Sequence, residues 1–354
     1  MDSARQAKID AFDPNGVGLK NGHFIGLPFT EEEAQLIYLG IPWDVTVSYR
    51  EGTSGGPGNI LEASAQLDLI DPDVPQAWHI GHYFRPSPDA WLTINNALRQ
   101  KSRRYIDFLE NGGDVADDHG MARVLEEINA ACAEQVERVA NATAELLDAG
   151  KWVGLIGGDH SSPLGYLRSL AERHQSFGIL QIDAHMDLRQ AYEGFTYSHA
   201  SIFYNALQLP AVGRLVQVGI RDYCEEEFNL AKEQNDRVHV WYEQDRQEAL
   251  MRGETWHELC GQIIADLPAE VYLSFDIDGL RPDLCPNTGT PVPGGLTFYE
   301  AIYLIRQVVQ SGRTIIGFDL CETAGPEHDW DGNVAARLAW RLGNLCALSQ
   351  GWKA

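Results

Sequence analysis

Short, continuously apolar runs recur along this chain, separated by stretches in which apolar residues return every third or fourth position. The runs predict strands at 36–43 (LIYLGIPW), 151–158 (KWVGLIGG), 177–185 (FGILQIDAH), 214–221 (RLVQVGIR), 237–242 (RVHVWY), 270–278 (EVYLSFDID) and 313–320 (RTIIGFDL). Between them, helical periodicity predicts helices near 121–149, 162–174, 199–208, 254–266, 297–312 and 331–348. In the first of these, Val124, Leu125, Ile128, Cys132, Val136 and Val139 fall on one stripe. Thr297 with Glu300 forms a capping box, and Gly312 stands where that helix should stop. Strands that are apolar throughout, rather than at alternate positions, mark a parallel sheet covered by helices on both faces.

Two stretches lack such patterning. Residues 1–35 are rich in glycine and asparagine and read as an N-terminal extension that wraps a surface. Residues 44–110, rich in proline and aromatics, read as a long irregular region of the kind that carries function or subunit contacts. With no repeat and no linker, residues 36–354 are expected to form a single α/β domain.

Composition narrows the function. With 27 lysines and arginines against 51 aspartates and glutamates, the formal net charge is −24. That repels nucleic acid and anionic membranes and favours a cationic small molecule. The six cysteines form no CxxC pair, which predicts reduced thiols in a cytoplasmic protein. The N-terminus MDSARQAKIDAF has no apolar leader core, and no run approaches the ~20 apolar residues of a membrane span.

The chemistry stands at the strand ends. Asp159 and His160 follow one strand, Asp183, His185 and Asp187 end the next, Asp276 and Asp278 end a third, and Glu322 follows a fourth. In an open parallel sheet these ends share one edge, where ligands bind. So many carboxylates in one cleft raise one another's pKa unless a positive species holds them. Two divalent ions meet that need, and His/Asp donors suit Mn²⁺, Ni²⁺, Co²⁺ or Zn²⁺. The lack of a thiolate argues against a structural zinc. Taken alone, Asp159 is equally a cap for the following helix.

The motifs GGDHS (157–161), DAHMD (183–187) and SFDID (274–278) resemble the three metal-binding motifs of the ureohydrolases. These include arginase, agmatinase, guanidinobutyrase, formimidoylglutamase and guanidine hydrolase. The resemblance runs through TGTPVPGGLT and GFDLCET and covers 36–348. It implies a three-layer α/β/α fold around a mainly parallel eight-stranded sheet, a homotrimer or homohexamer, and two metal ions, Mn²⁺ or Ni²⁺. One ion would be held by His160, Asp183, Asp187 and Asp276, the other by His185, Asp183, Asp276 and Asp278. Asp183 and Asp276 would bridge. A hydroxide between the ions would attack a guanidinium carbon, Asp187 would pass its proton to the leaving nitrogen, Glu322 would bind the guanidinium, and His199 would shuttle protons.

Departures from the family bear on the substrate. The amino-acid-binding SGNxHG loop is absent, which argues against L-arginine. Arg281 stands where most arginases and agmatinases have an aspartate, and it could equally be a surface arginine paired with Asp283. Arg281 puts ordinary agmatinase specificity in question, and the N-terminal extension, the long 44–110 region and the loop EHDWDGN (327–333) together resemble the branch of guanidine hydrolases, which is associated with nickel. Guanidine or a related small guanidine or biguanide is therefore favoured, with agmatine or 4-guanidinobutyrate as alternatives. Trp330, Phe195 and Tyr197 are expected to narrow the cleft over the cation. A catalytically silent paralogue in a heteromer and a single-zinc deacetylase are the competing classes. The full ligand set opposes the first, and the paired GGDHS and SFDID motifs oppose the second.

Overall fold

In the computed structural model, which describes residues 3–353, eight strands form one sheet. They are β1 (Leu36–Gly40), β2 (His82–Arg85), β3 (Trp152–Ile156), β4 (Phe177–Ile182), β5 (Val212–Ile220), β6 (Val238–Tyr242), β7 (Glu270–Asp276) and β8 (Thr314–Cys321). Their order is β2-β1-β3-β8-β7-β4-β5-β6, and every neighbouring pair is parallel. The expected α/β/α architecture is present, with the sheet parallel throughout. All of β4 and all but the first residue of β7 are buried, which accounts for their mainly apolar character, interrupted by Gln181 in β4 and by Ser274 and the terminal Glu270 and Asp276 in β7.

Helices His119–Asp148 and Leu164–Ala171 pack on each other, and Gly56–Ser64, Phe298–Gln310 and Asp329–Ser349 form a second group. Asp118 caps the 30-residue helix by accepting from the N–H groups of Gly120 and Met121. The Thr297/Glu300 capping box opens the helix Phe298–Gln310, and Gly312 follows it with φ 84°.

The region 44–110 is not the irregular stretch that its composition predicts. It holds the helix Gly56–Ser64, the edge strand β2 and the 22-residue helix Asp89–Glu110. The long helix is hidden in the sequence because its buried stripe contains Asn95 and Ser102 beside Leu98, Tyr105 and Ile106. Those polar side chains bind backbone: Asn95 Oδ1 accepts from Asp44 N at 2.8 Å, and Ser102 Oγ donates to Val45 O at 2.5 Å. Four-residue β2 carries too little pattern to register. Helices Glu225–Glu233 and Glu243–Met251, dominated by charged and amide side chains, also go beyond the elements that apolar periodicity predicts.

The segment before β1 does more than wrap a surface. Phe24, Leu27 and Phe29 are wholly buried, and Phe24 packs on Tyr38 of β1 with ring centroids 4.4 Å apart. Arg5 ties the first helix to Glu33 O and Ile80 O. All six cysteines are free. Among the described residues no helix is long and apolar enough to cross a membrane.

Candidate metal centre

The four central strands β3, β8, β7 and β4 are consecutive neighbours in the sheet. Their carboxyl ends therefore bring His160, Glu322, Asp276 and Asp183 to one edge although they are far apart in sequence. Two glycines let the backbone close around this edge. A Cβ on Gly158 would meet Trp43 O at 2.0 Å, where Asp159 N already donates to that carbonyl at 2.7 Å. A Cβ on Gly279 would meet Asp183 N at 2.6 Å.

His160 Nδ1 lies 3.0 Å from Asp183 Oδ2 and 3.3 Å from both Asp187 Oδ2 and Asp276 Oδ2. It is buried and has no hydrogen-bond partner. His185 Nδ1 lies 3.1 Å from Asp278 Oδ2 and 3.6 Å from Asp183 Oδ1. Backbone N–H groups orient the carboxylates: His185 N donates to Asp183 Oδ1 at 2.7 Å, Ala184 N to Asp278 Oδ1 at 3.0 Å, and Asp278 N to Asp276 Oδ1 at 2.8 Å. Two donor sets result, His160/Asp183/Asp276 and Asp183/His185/Asp278, each with its ligand atoms within 4.8 Å of one another. They share Asp183. Asp276 falls in the first set, and its Oδ1 accepts from Asp278 N–H just as Asp183 Oδ1 accepts from His185 N–H. Asp187 reaches the first set through His160 and holds a left-handed backbone, φ 53°.

The electrostatics of the cluster suit a cation. Burial, then the charge of Asp183, pushes the Asp187 carboxyl up to about 7. Burial and the charges of Asp278 and Asp183 hold Asp276 well above the carboxylate range. Burial alone would depress His160, yet the surrounding carboxylates of Asp183, Asp187 and Asp276 hold it well above its ordinary value. Burial likewise opposes ionisation of Asp183, and contacts with His160 and His185 keep it below the usual range. The unpartnered imidazole nitrogen and the converging carboxylate oxygens fit a pair of divalent ions, which would supply that charge.

Glu322 follows β8 with φ 63°. Its Oε1 accepts from His160 N at 3.0 Å, and its backbone carbonyl accepts from Thr288 Oγ1 at 2.8 Å. Its Oε2 is buried and unpartnered. Burial, then the charge of Asp159, raises its pKa well above the ordinary value. Glu322, His199, Asp187, Asp276 and both metal-facing histidines line one cleft of about 230 Å³. His199 meets Tyr192 edge-on at 6.2 Å, and burial, then the charge of His185, lowers its pKa to about 3. Asp159 turns away and accepts from Ser161 N at 3.0 Å as a local cap.

The structure does not bring the three expected aromatics to this cleft. Phe195 is fully buried against Tyr105, 5.3 Å between centroids. Tyr197 is half-buried beneath the Arg168 guanidinium at 5.9 Å. Trp330 is 49% exposed and donates to Asp283 O at 3.0 Å. A tight turn through Glu193 and Gly194, both with positive φ, joins Tyr192 to Phe195 and sends Phe195 into the core. Tyr192 faces the cleft instead, with Arg189 over its ring at 4.7 Å. Asp222, Tyr223 and Glu227, just beyond β5, complete the mouth. Their position after a strand end was the available signal. Arg281 pairs with Asp283 at 2.9 Å on the surface and does not line the cleft.

The Arginase family signature matches residues 34–347. N(1)-aminopropylagmatine ureohydrolase of Synechocystis sp. is 29% identical, covering 90% of this chain and 91% of its own. Guanidinobutyrase of Pseudomonas aeruginosa is 30% identical, covering 91% and 90%. The crystal structure of agmatine ureohydrolase of Thermoplasma volcanium superposes with a TM-score of 0.68 at 22% identity, covering 98% and 100%. Ligand-bearing strand ends in this order and a family match spanning nearly the whole chain lead to one conclusion: this chain belongs to the arginase family of ureohydrolases.

Proposed function

We propose that the protein hydrolyses a linear guanidino compound of the agmatine class, releasing urea and an amine. One observation carries this reading: the buried, unpartnered Glu322 Oε2 faces the same cleft as the two His/Asp donor sets. A buried carboxylate oxygen with no donor is costly unless the ligand brings one. A planar guanidinium brings several N–H donors and a positive charge. A cleft of about 230 Å³ suits a small substrate.

The mouth supports an amine-tailed substrate. Arg189 Nε lies 3.8 Å from Glu227 Oε2, so its charge is offset, while the Asp222 side chain is 69% exposed and open to a distal ammonium. Relatives named for agmatine and aminopropylagmatine point the same way. Arg189 within the lining, with a guanidinobutyrase among the relatives, supports 4-guanidinobutyrate as the second reading.

His160, Asp183, Asp187 and Asp276 would hold one divalent ion, and His185, Asp183, Asp276 and Asp278 the other, as Mn²⁺ or Ni²⁺. Bound ions of this kind supply a water acidic enough to act as a nucleophile near neutral pH. The protein's own groups do the rest. Glu322 fixes the guanidinium plane, with Oε1 tethered by His160 N and Oε2 turned to the substrate. Asp187, in the lining of the cleft, would take the proton that the attacking water gives up and return it to the leaving nitrogen as the C–N bond breaks. His199, held neutral by burial, relays protons between the cleft and solvent.

Urea release should be screened across agmatine, aminopropylagmatine, 4-guanidinobutyrate, guanidine and arginine, on apoprotein reloaded separately with Mn²⁺ and Ni²⁺. Agmatine or its aminopropyl derivative is expected to give the highest kcat/KM. Preferred turnover of guanidine or arginine would sink the tail assignment, and no urea from any substrate would sink the chemistry.

A further inference from the structure

We propose that Asp319, acting through Ser274, is a positioning residue that fixes the metal-facing tautomer of His160. The inference rests on reading His160 as a metal ligand. His160 Nε2 lies 2.9 Å from Ser274 Oγ. That hydroxyl donates to Asp319 Oδ2 at 2.7 Å, and Asp319 Oδ1 accepts from Phe275 N at 3.2 Å. All three side chains are essentially without solvent contact, and among the described residues Asp319 has no lysine or arginine partner.

Proton counting sets the direction of this chain. A carboxylate only accepts, so the single Ser274 hydroxyl proton points at Asp319. Ser274 Oγ must then accept from His160, which places the ring proton on Nε2. In the neutral ring that a metal ligand requires, the Nδ1 lone pair is then left on the side of Asp183, Asp187 and Asp276. Support for a ligand imidazole by a carboxylate behind it is a general device of metal sites. His160 Nε2, Asp319 and Cys321 also lie within 4.8 Å of one another. They do not make a further ion site, because Ser274 occupies Nε2 and burial pushes the Cys321 thiol far up.

The relay makes Asp319→Asn worse than its size suggests. Phe275 N–H keeps the amide oxygen on its side, so the amide NH₂ turns to Ser274 Oγ. The Ser274 proton then swings to His160 Nε2, the ring proton moves to Nδ1, and the ion-facing lone pair is lost. Ser274→Ala does less, because His160 Nε2–H can settle toward Asp319 Oδ1, 3.7 Å away, with the tautomer unchanged.

Titration of the apoproteins with Mn²⁺ by calorimetry, with bound metal counted by elemental analysis, tests this. Asp319→Asn is expected to bind the His160-site ion about 10–100-fold more weakly. Ser274→Ala should lose less than Asp319→Asn, and adding Ser274→Ala to Asp319→Asn should recover affinity rather than lose more. Wild-type affinity in Asp319→Asn, or additive losses in the double variant, would overturn the relay. Should Asp319→Asn fail to fold, neutron diffraction of the Mn²⁺-loaded wild type decides: deuterium is expected on His160 Nε2 and on Ser274 Oγ toward Asp319, and deuterium pointing from Ser274 to His160 refutes it. Wild-type apoprotein that takes up no Mn²⁺ would overturn the metal reading and the relay with it, whereas normal uptake with unaltered variants overturns the relay alone.

Discussion

The backbone N–H of His160 donates to Glu322 Oε1 at 3.0 Å. One residue thus turns its ring to the carboxylate cluster and its main chain to the glutamate proposed to grip the substrate. A single peptide unit just beyond β3 would thus register the proposed ion and guanidinium against each other. The left-handed backbone of Glu322, φ 63°, is held by this bond and by Thr288 Oγ1 on its carbonyl.

Glu322→Gln keeps this shape and removes the charge. A charge-assisted hydrogen bond is worth about 1.5–3 kcal/mol, so KM for agmatine should rise about 10–100-fold. Bound metal should stay at the wild-type level. Steady-state urea release alongside metal analysis checks both, and loss of metal in this variant would contradict the separation of roles.

Because Asp183 belongs to both donor sets, Asp183→Ala should lower metal content at both positions, whereas Asp278→Ala should affect only the His185 set. Elemental analysis of variants purified in excess Mn²⁺ distinguishes them. Equal stoichiometry in the two variants would disprove the shared ligand.

Chelation should destabilise the fold as well as abolish activity. Removing the ions leaves Asp187, Asp276 and Asp183 to repel one another in a dry cluster. Each site filled at a hundred times its Kd contributes about 2.7 kcal/mol. For two sites that is about 5 kcal/mol, so denaturant unfolding with and without chelator should show a gap of that order, and coincident curves would argue against metal binding.

Glu193 provides a pH signature outside the metal cluster. Burial, then the charge of Glu110, with Arg99 opposing, pushes its carboxyl up to about 7, and its Oε2 is buried without a partner. Unfolded, it loses its proton near ~4.3. Between these values the folded state binds more protons, so this group's contribution to stability falls as pH rises. Glu193→Gln removes that penalty. The variant should exceed wild type by about 1 kcal/mol at pH 8, allowing for partial exposure, and the difference should vanish below pH ~4. A pH-independent difference would refute the assignment.

Tyr192→Ala should raise KM, because its ring lines the cleft beside His199. Trp330→Ala should change kcat/KM by less than about twofold, as expected of a surface side chain whose indole serves Asp283 O.

Much of the site was legible because its ligands stand at fixed offsets beside apolar strands. GGDHS, DAHMD and SFDID each pair a buried run with polar residues at its mouth, and the parallel sheet puts all such mouths on one edge. Local chemistry also announced the Thr297/Glu300 cap. The helix Asp89–Glu110 stayed hidden because Asn95 and Ser102 replace apolar residues on its inner face, and their partners, Asp44 and Val45, come from a distant loop. Phe195 and Tyr197 were misplaced because a composition of aromatics says nothing of which side of a turn each faces. That was settled by the positive φ of Glu193 and Gly194.

The sequence by itself determined seven of the eight strands, the parallel sheet and the candidate donor residues, since hydrophobic periodicity and ligand chemistry are local properties. Tertiary structure alone decided that β3, β8, β7 and β4 lie side by side, that Asp183 serves both donor sets, and that Asp319 stands behind His160. Those are relations between segments remote along the chain. They depend on how strands order themselves and on which lone pairs the backbone N–H groups have already taken, and neither is written in the spacing of residues.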